Sequence, residues 1–293
     1  MRIQPAIPVY AVLSTMKTDY AGGFAKLGAM GWQNIELLGM NPFAGKHIME
    51  LCPVGDMKRL LKQSSMTPIS FHERVDDFGS KKWDQLLSYC DSIDCRKIVL
   101  PSIWIKDEAQ ALALADDLDK TSRYMSDRGF TYVLHTHHLE FRRLEDGRTL
   151  VDVLLENTDQ SLELEFDIVW SMRGGVNPLE ELEKFGPRCQ MVHLKDYRGD
   201  FPDPVNFFEL MEQDGRMDCD DLLGIVQKYS RSPEFFCTIG EGCCDIRGIL
   251  QRIRQMGHVQ YVIAESEAKS GRQFEIAKKE LDYINQCLDL LTT

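Results

Sequence analysis

The chain has no uninterrupted apolar run near the ~20 residues that a membrane-spanning helix requires, no CxxC pair among its nine cysteines, no glycine-rich phosphate loop and no surplus of basic residues. Each absence removes a class of protein. The missing apolar run argues against a membrane protein, and the N-terminus MRIQPAIPVY lacks the charged-then-apolar layout of a signal peptide, so the expected address is the cytoplasm. An odd number of cysteines without paired spacing argues against a disulfide framework and for a reduced compartment; the adjacent Cys243 and Cys244 read as packing at a helix start. With 34 Lys+Arg against 46 Asp+Glu the formal charge is −12, which counts against a nucleic-acid partner, because phosphate binding is driven by Lys and Arg. No linker rich in Gly, Ser or Pro divides the 293 residues, so one domain over 1–293 is expected.

What is present is an ordinary globular composition, 43% hydrophobic and 27% charged, with one repeated pattern. Short apolar runs alternate with helical patterns at 7–13 (IPVYAVL), 33–38 (QNIELL), 67–72 (TPISFH), 97–100 (KIVL), 131–135 (TYVLH), 162–166 (LELEF), 190–194 (QMVHL) and 261–264 (YVIA). The helical patterns fall at 18–30, 54–63, 81–93, 107–128, 149–157, from Pro178, at 245–256 and in a C-terminal helix at 273–291. An irregular insertion occupies 198–242, where Phe201, Phe207, Phe208 and Met211 suit a lid, a contact surface or a barrel-end cover. Strands alternating with helices indicate a parallel sheet, and eight units in under 300 residues fit a single (β/α)8 TIM barrel of the α/β class. An open doubly wound sheet is the alternative, but its usual glycine-rich first turn is missing.

In such a barrel the chemistry sits at the C-terminal ends of the strands. There the sequence places Glu36, His72, Glu73, His135, His137, His138, Asp167, His193, Lys195, Asp196, Glu265 and Glu267. Carboxylates with neutral imidazoles suit a divalent ion such as Mn, Fe, Co, Zn or Mg. Residues two apart on a strand share a face, so His135 pairs with His137, His193 with Lys195 and Glu265 with Glu267, while Thr136 and His138 point the other way. Blander readings stand beside these: His47 and His258 as structural histidines, His138 with Glu140 as a supporting or surface pair, Asp167 as a turn cap, and Lys195–Asp196 as a surface ion pair.

The segments GWQNIEL at 31–37, ISFHE at 69–73, VLHTHHLEF at 133–141, LEFDIVW at 164–170, MVHLKDY at 191–197, IGEGCCDIRGIL at 239–250 and YVIAESE at 261–267 together resemble the xylose isomerase-like TIM barrels, and within them the sugar phosphate isomerase/epimerase group. The resemblance implies one divalent ion, Mn2+ favoured with Co2+, Zn2+, Fe2+ or Mg2+ as alternatives, held by His135, Asp167, His193 and Glu265. Many members carry Glu at the fifth strand where this chain has His135, and Thr136 stands where a His-x-His subgroup has Asn. The resemblance further implies Glu265 as a catalytic group, and across the cavity His137, Lys195 and Glu73 are the candidates for its partner. His137 is favoured, because an imidazole with a pKa near ~6.5 exchanges protons near neutrality and because it shares a face with His135; Lys195 is a further catalytic group. Glu36, His72, Glu73, Trp104 and Glu267 are the expected substrate-binding residues. The expected activity is a sugar isomerase or epimerase acting by proton transfer next to a carbonyl. The alternative is a lyase, hydratase or dehydratase acting on a 3-keto-glycoside or keto-inositol. An endonuclease IV-like nuclease or a non-catalytic binding subunit are remoter readings. The expected partner is a small-molecule sugar or keto-sugar, with neither nucleic acid nor membrane, and self-association or a partner subunit fits the family.

Overall fold

The computed structural model describes residues 2–74, 81–198, 213–215, 236–266 and 271–291. Eight parallel strands close on themselves: β1 (Gln4–Pro8), β2 (Asn34–Leu38), β3 (Thr67–His72), β4 (Lys97–Leu100), β5 (Thr131–His135), β6 (Leu162–Asp167), β7 (Cys189–Leu194) and β8 (Tyr261–Ala264). Each pairs with its neighbour in sequence, and β1 closes the ring against β8. Helices such as Tyr20–Met30, Val54–Ser64, Glu108–Ser126 and Gln273–Leu290 return the chain between strands or end it. The chain is therefore a single (β/α)8 barrel, not an open sheet. Among the described residues, no helix is long and apolar enough to cross a membrane, and the eight described cysteines are free thiols.

The first apolar run is divided differently from the sequence reading. β1 begins at Gln4 and ends at Pro8, and Val9–Met16 is a helix. Its buried residues Val9, Val12, Leu13 and Met16 follow the i, i+3, i+4, i+7 spacing of a helix face, which a short all-apolar run conceals. Cys243 and Cys244 precede the helix Ile246–Met256, whose N-cap is Asp245. Of the insertion expected at 198–242, only 198, 213–215 and 236–242 lie within the described residues; Phe201, Phe207, Phe208 and Met211 lie outside them.

Two apolar layers hold the barrel. Outward-facing strand residues such as Leu162, Leu164 and Phe166 join the core between strands and helices. Inside, Ala6, Ile69, Val99, Val133, Met191 and Ile263 form a plug, each large member worth about 1.5–3 kcal/mol on full burial. Since successive strand residues alternate faces, the positions two beyond Val133, Met191 and Ile263 also face the interior, one layer higher. They are His135, His193 and Glu265. The barrel thus places its polar side chains directly on an apolar floor.

Candidate active site

A cavity of about 410 Å³ opens at the C-terminal mouth of the barrel, within the ~300–1,000 Å³ usual for small-molecule sites. Glu36, His72, His135, His137, His193, Lys195 and Glu265 line one part of it, and Tyr10, Leu38, Met40, Ile103, Trp104 and Trp170 another.

Two groups of ligand-type side chains meet at its base, sharing His193. In the first, Lys195 is buried with its Nζ 2.6 Å from Asp167 Oδ2 and 2.6 Å from Glu265 Oε2, while His193 Nδ1 lies 2.7 Å from Glu265 Oε2. Asp167 also caps the short helix Ile168–Arg173 by accepting the Trp170 N–H at 2.9 Å, so its two oxygens serve a helix cap and the contact with Lys195. In the second group, Glu165 Oε2 lies 2.7 Å from His72 Nε2, 2.9 Å from His135 Nδ1 and 3.3 Å from His193 Nε2. Glu36 flanks it, 3.1 Å from His72 Nε2 and 3.2 Å from His193 Nε2, and accepts the Ser70 hydroxyl at 2.7 Å.

Burial in this cluster opposes charge, but opposite charges at contact distance override it. Burial pushes the Glu165 carboxyl up, yet His193 and His72 hold it well below the usual carboxylate range; against the same burial, Lys195 and His193 do so for Glu265. Burial lowers His72, but Glu36 and Glu165 raise it to about 10, and Glu165 with Glu36 raises His193 well above an ordinary imidazole. His137 goes the other way. Burial, then His135, His138 and Lys195, hold it well below its ordinary value, so it is a neutral imidazole at physiological pH.

Asp167, His193 and Glu265 come together as the sequence reading expected, whereas His135 belongs to the second group. His137 lines the cavity, but so does His138; strand alternation no longer applies to them, because β5 ends at His135 and a 3-10 turn spans Leu139–Phe141. Trp104, Glu36 and His72 reach the cavity. Glu73 is not among its lining residues: it lies just past the end of β3, and its carboxylate is 2.7 Å from His47 Nε2. Lys195 and Asp196 are not a surface ion pair, because both are buried and bind different partners. Glu267 lies outside the described residues. Glu165 and Ser70 were not anticipated, although Glu165 stands two residues before Asp167 and so shares its inward face.

The donor set fits a divalent cation. It combines imidazoles and carboxylates, the mixture that borderline metals take. Glu165 Oε1 is buried without a hydrogen bond, and His135 Nδ1 and His193 Nε2, which face Glu165 Oε2, lack hydrogen bonds of good geometry. The carboxylates that touch Lys195 keep further lone pairs for a cation.

Residues 26–287 match the family model of the xylose isomerase-like TIM barrel. The chain belongs to that family. Among solved structures of the same fold, a sugar phosphate isomerase/epimerase from Parabacteroides distasonis aligns over 97% of this chain and 94% of its own, at TM-score 0.71 and 18% identity. The IolI protein with a bound zinc atom aligns over 99% of each chain, at TM-score 0.70 and 12% identity. Among curated relatives, the inosose dehydratase of Clostridium beijerinckii is 28% identical over 61% of this chain and 55% of its own length. The chain thus spans about half the length of the curated relatives it matches. Within this xylose isomerase-like barrel, three imidazoles, His72, His135 and His193, gather around Glu165.

Proposed function

We propose that this chain is a divalent-metal-dependent lyase of the dehydratase type, acting on a keto-inositol or a similar keto-sugar. The observation that carries the reading is the placement of the Lys195 ammonium, fixed between Asp167 and Glu265, in one cavity with the neutral imidazole of His137. The likeness to inosose dehydratases supports this product over the isomerase or epimerase expected first. Asp167, His193 and Glu265, which converge, would hold one ion in this reading, with His135 from the adjoining group as the fourth ligand the family resemblance implies. Imidazole ligation suits Zn, Co, Fe or Mn better than Mg. When bound, the ion supplies a Lewis acid at the substrate carbonyl.

His137 takes the proton from the carbon next to the carbonyl, and the electron pair of that C–H bond forms the new C=C bond. The adjacent C–O bond breaks, and the departing hydroxyl takes a proton from Lys195 to leave as water. Proton exchange with solvent then resets His137 and Lys195, so atoms and charge balance. Glu265 holds Lys195 in place and is the alternative base. Glu36 and His72 face substrate hydroxyls, and Trp104 with Ile103 lies against the carbon skeleton.

The test is incubation of the metal-supplemented protein with a keto-inositol and a 3-keto-glycoside in D₂O, followed by proton NMR. The expected result is loss of one water, the enol from the keto-inositol ketonising to a diketone with one solvent deuterium on carbon, plus a His137→Asn variant that keeps its metal while turnover falls by ~10²–10⁴, the usual contribution of general acid–base catalysis. Deuterium uptake without water loss would instead identify an isomerase or epimerase, and loss of metal in His137→Asn would make His137 a ligand.

A further inference from the structure

We propose that Glu165 is a positioning residue: it fixes the ring orientation of His135 and His193, the two imidazoles assigned to the ion, without itself touching substrate or ion. The inference rests on the ligand set of the reading above. Glu165 is fully buried and absent from the cavity wall, whereas His135, His193 and Glu265 line it. A group that the substrate cannot reach acts only through its neighbours. Its single oxygen Oε2 is approached by rings from three strands, His72 at 2.7 Å, His135 at 2.9 Å and His193 at 3.3 Å.

His193 shows what this arrangement does. One ring nitrogen, Nδ1, is 2.7 Å from Glu265 Oε2 on the cavity side; the other, Nε2, faces Glu165 and Glu36. An imidazole that binds metal through one nitrogen carries its proton on the other, and a carboxylate receiving that N–H sets both the tautomer and the ring plane. Glu165 Oε2 is placed for this on two rings at once, 2.9 Å from His135 Nδ1 and 3.3 Å from His193 Nε2, contacts that have the distance but not the angle of a hydrogen bond in this structure. The register supports the geometry, because His135 lies directly opposite Glu165 and His193 opposite Asp167, two residues further along the same inward face. Glu36 Oε1, 3.2 Å from His193 Nε2, shares the contact with that ring, but Glu36 lines the cavity, where substrate can reach it.

The experiment is zinc titration of the full chain and its Glu165→Gln variant against a competing chelator, beside imidazole ¹⁵N NMR of the zinc-loaded wild type. The expected variant still binds one zinc, with affinity lowered ~10–100-fold, the usual effect of removing such a partner. The expected wild-type spectrum has protons on His135 Nδ1 and His193 Nε2. Complete loss of zinc in Glu165→Gln would overturn the proposal by making Glu165 a ligand, in a deeper site with His72, His135 and His193. Affinity within twofold of wild type, or protons on the opposite nitrogens, would also overturn it. If Glu165→Gln does not fold, the wild-type spectrum decides alone. Absence of dehydration with the zinc results intact would remove the proposed function and leave the Glu165 assignment standing.

Discussion

Lys195 and Asp196 are consecutive, both buried and oppositely charged, yet they belong to different parts of the molecule. Lys195 faces the barrel interior and binds the side chains of Asp167 and Glu265. Asp196 faces outward, where one oxygen accepts the N–H groups of Gly240 and Gly242 at 2.9 and 3.0 Å and the other those of Tyr197 and Cys244 at 2.9 and 3.0 Å. The difference lies in what satisfies each charge. Backbone amides cannot leave, so Asp196 is a fixed staple between the end of β7 and the loop before the helix Ile246–Met256. Side-chain carboxylates have spare lone pairs and can be shared with a substrate or an ion, so the Lys195 group can do chemistry.

Replacing Lys195 by Met is the strongest test of that contrast. It should lower turnover by ~10²–10⁴, and it leaves two buried carboxylates without their cation, a loss of about 3–5 kcal/mol for the metal-free protein. Steady-state dehydration assays and thermal unfolding read the two effects separately. If turnover stayed near wild type while the unfolding temperature fell, Lys195 would be a structural staple like Asp196 and the contrast would collapse.

Asp196→Ala should affect stability alone. Removing an ionised acceptor from four amides costs about 3 kcal/mol, which lowers the unfolding midpoint by several degrees, with turnover per folded molecule unchanged within a few-fold. A large fall in turnover at an unchanged midpoint would move Asp196 into the site. The loop approaches Asp196 closely at Gly242, where any Cβ would collide with Asp196 Oδ1 and the Tyr197 carbonyl.

This contrast was only half legible in the sequence. Parallel strands covered on both sides leave near-continuous apolar runs, so the barrel and most strand-end residues could be read directly. The Gly-Glu-Gly signature was visible as well, but its work, bringing amides up to Asp196, depends on a contact across more than forty residues. Glu165 was overlooked because LELEF alternates like a strand with one wet face. In a closed barrel the apolar side of that alternation packs on helices and the polar side turns inward, which makes Glu163, Glu165 and Asp167 an interior ladder. Glu73 erred in the opposite sense: being next to His72 in sequence placed it with the site, whereas past the end of β3 its carboxylate turns to His47.

The outer region offers one further and smaller test, through pH. Glu280, on the C-terminal helix, accepts the Ile239 N–H at 3.2 Å in the same loop that Asp196 holds. Burial raises its carboxyl to about 8, and the nearby Asp196 and Glu241 charges add to the effect. A carboxyl whose folded pKa exceeds its unfolded value near 4.5 binds its proton more tightly in the folded state. Its contribution to stability is therefore full below about pH 4.5 and is lost as pH rises towards 8. Glu280→Gln keeps an acceptor for Ile239 and removes the titration, so the variant should match wild type at pH 4 and exceed it by a few kcal/mol, at most about 4, at pH 8, a rise of several degrees in unfolding midpoint. Thermal unfolding of both proteins across pH 4–8 measures this. A constant difference over that range would mean that Glu280 does not titrate with folding, and that the loop is held by its backbone contacts to Asp196 alone.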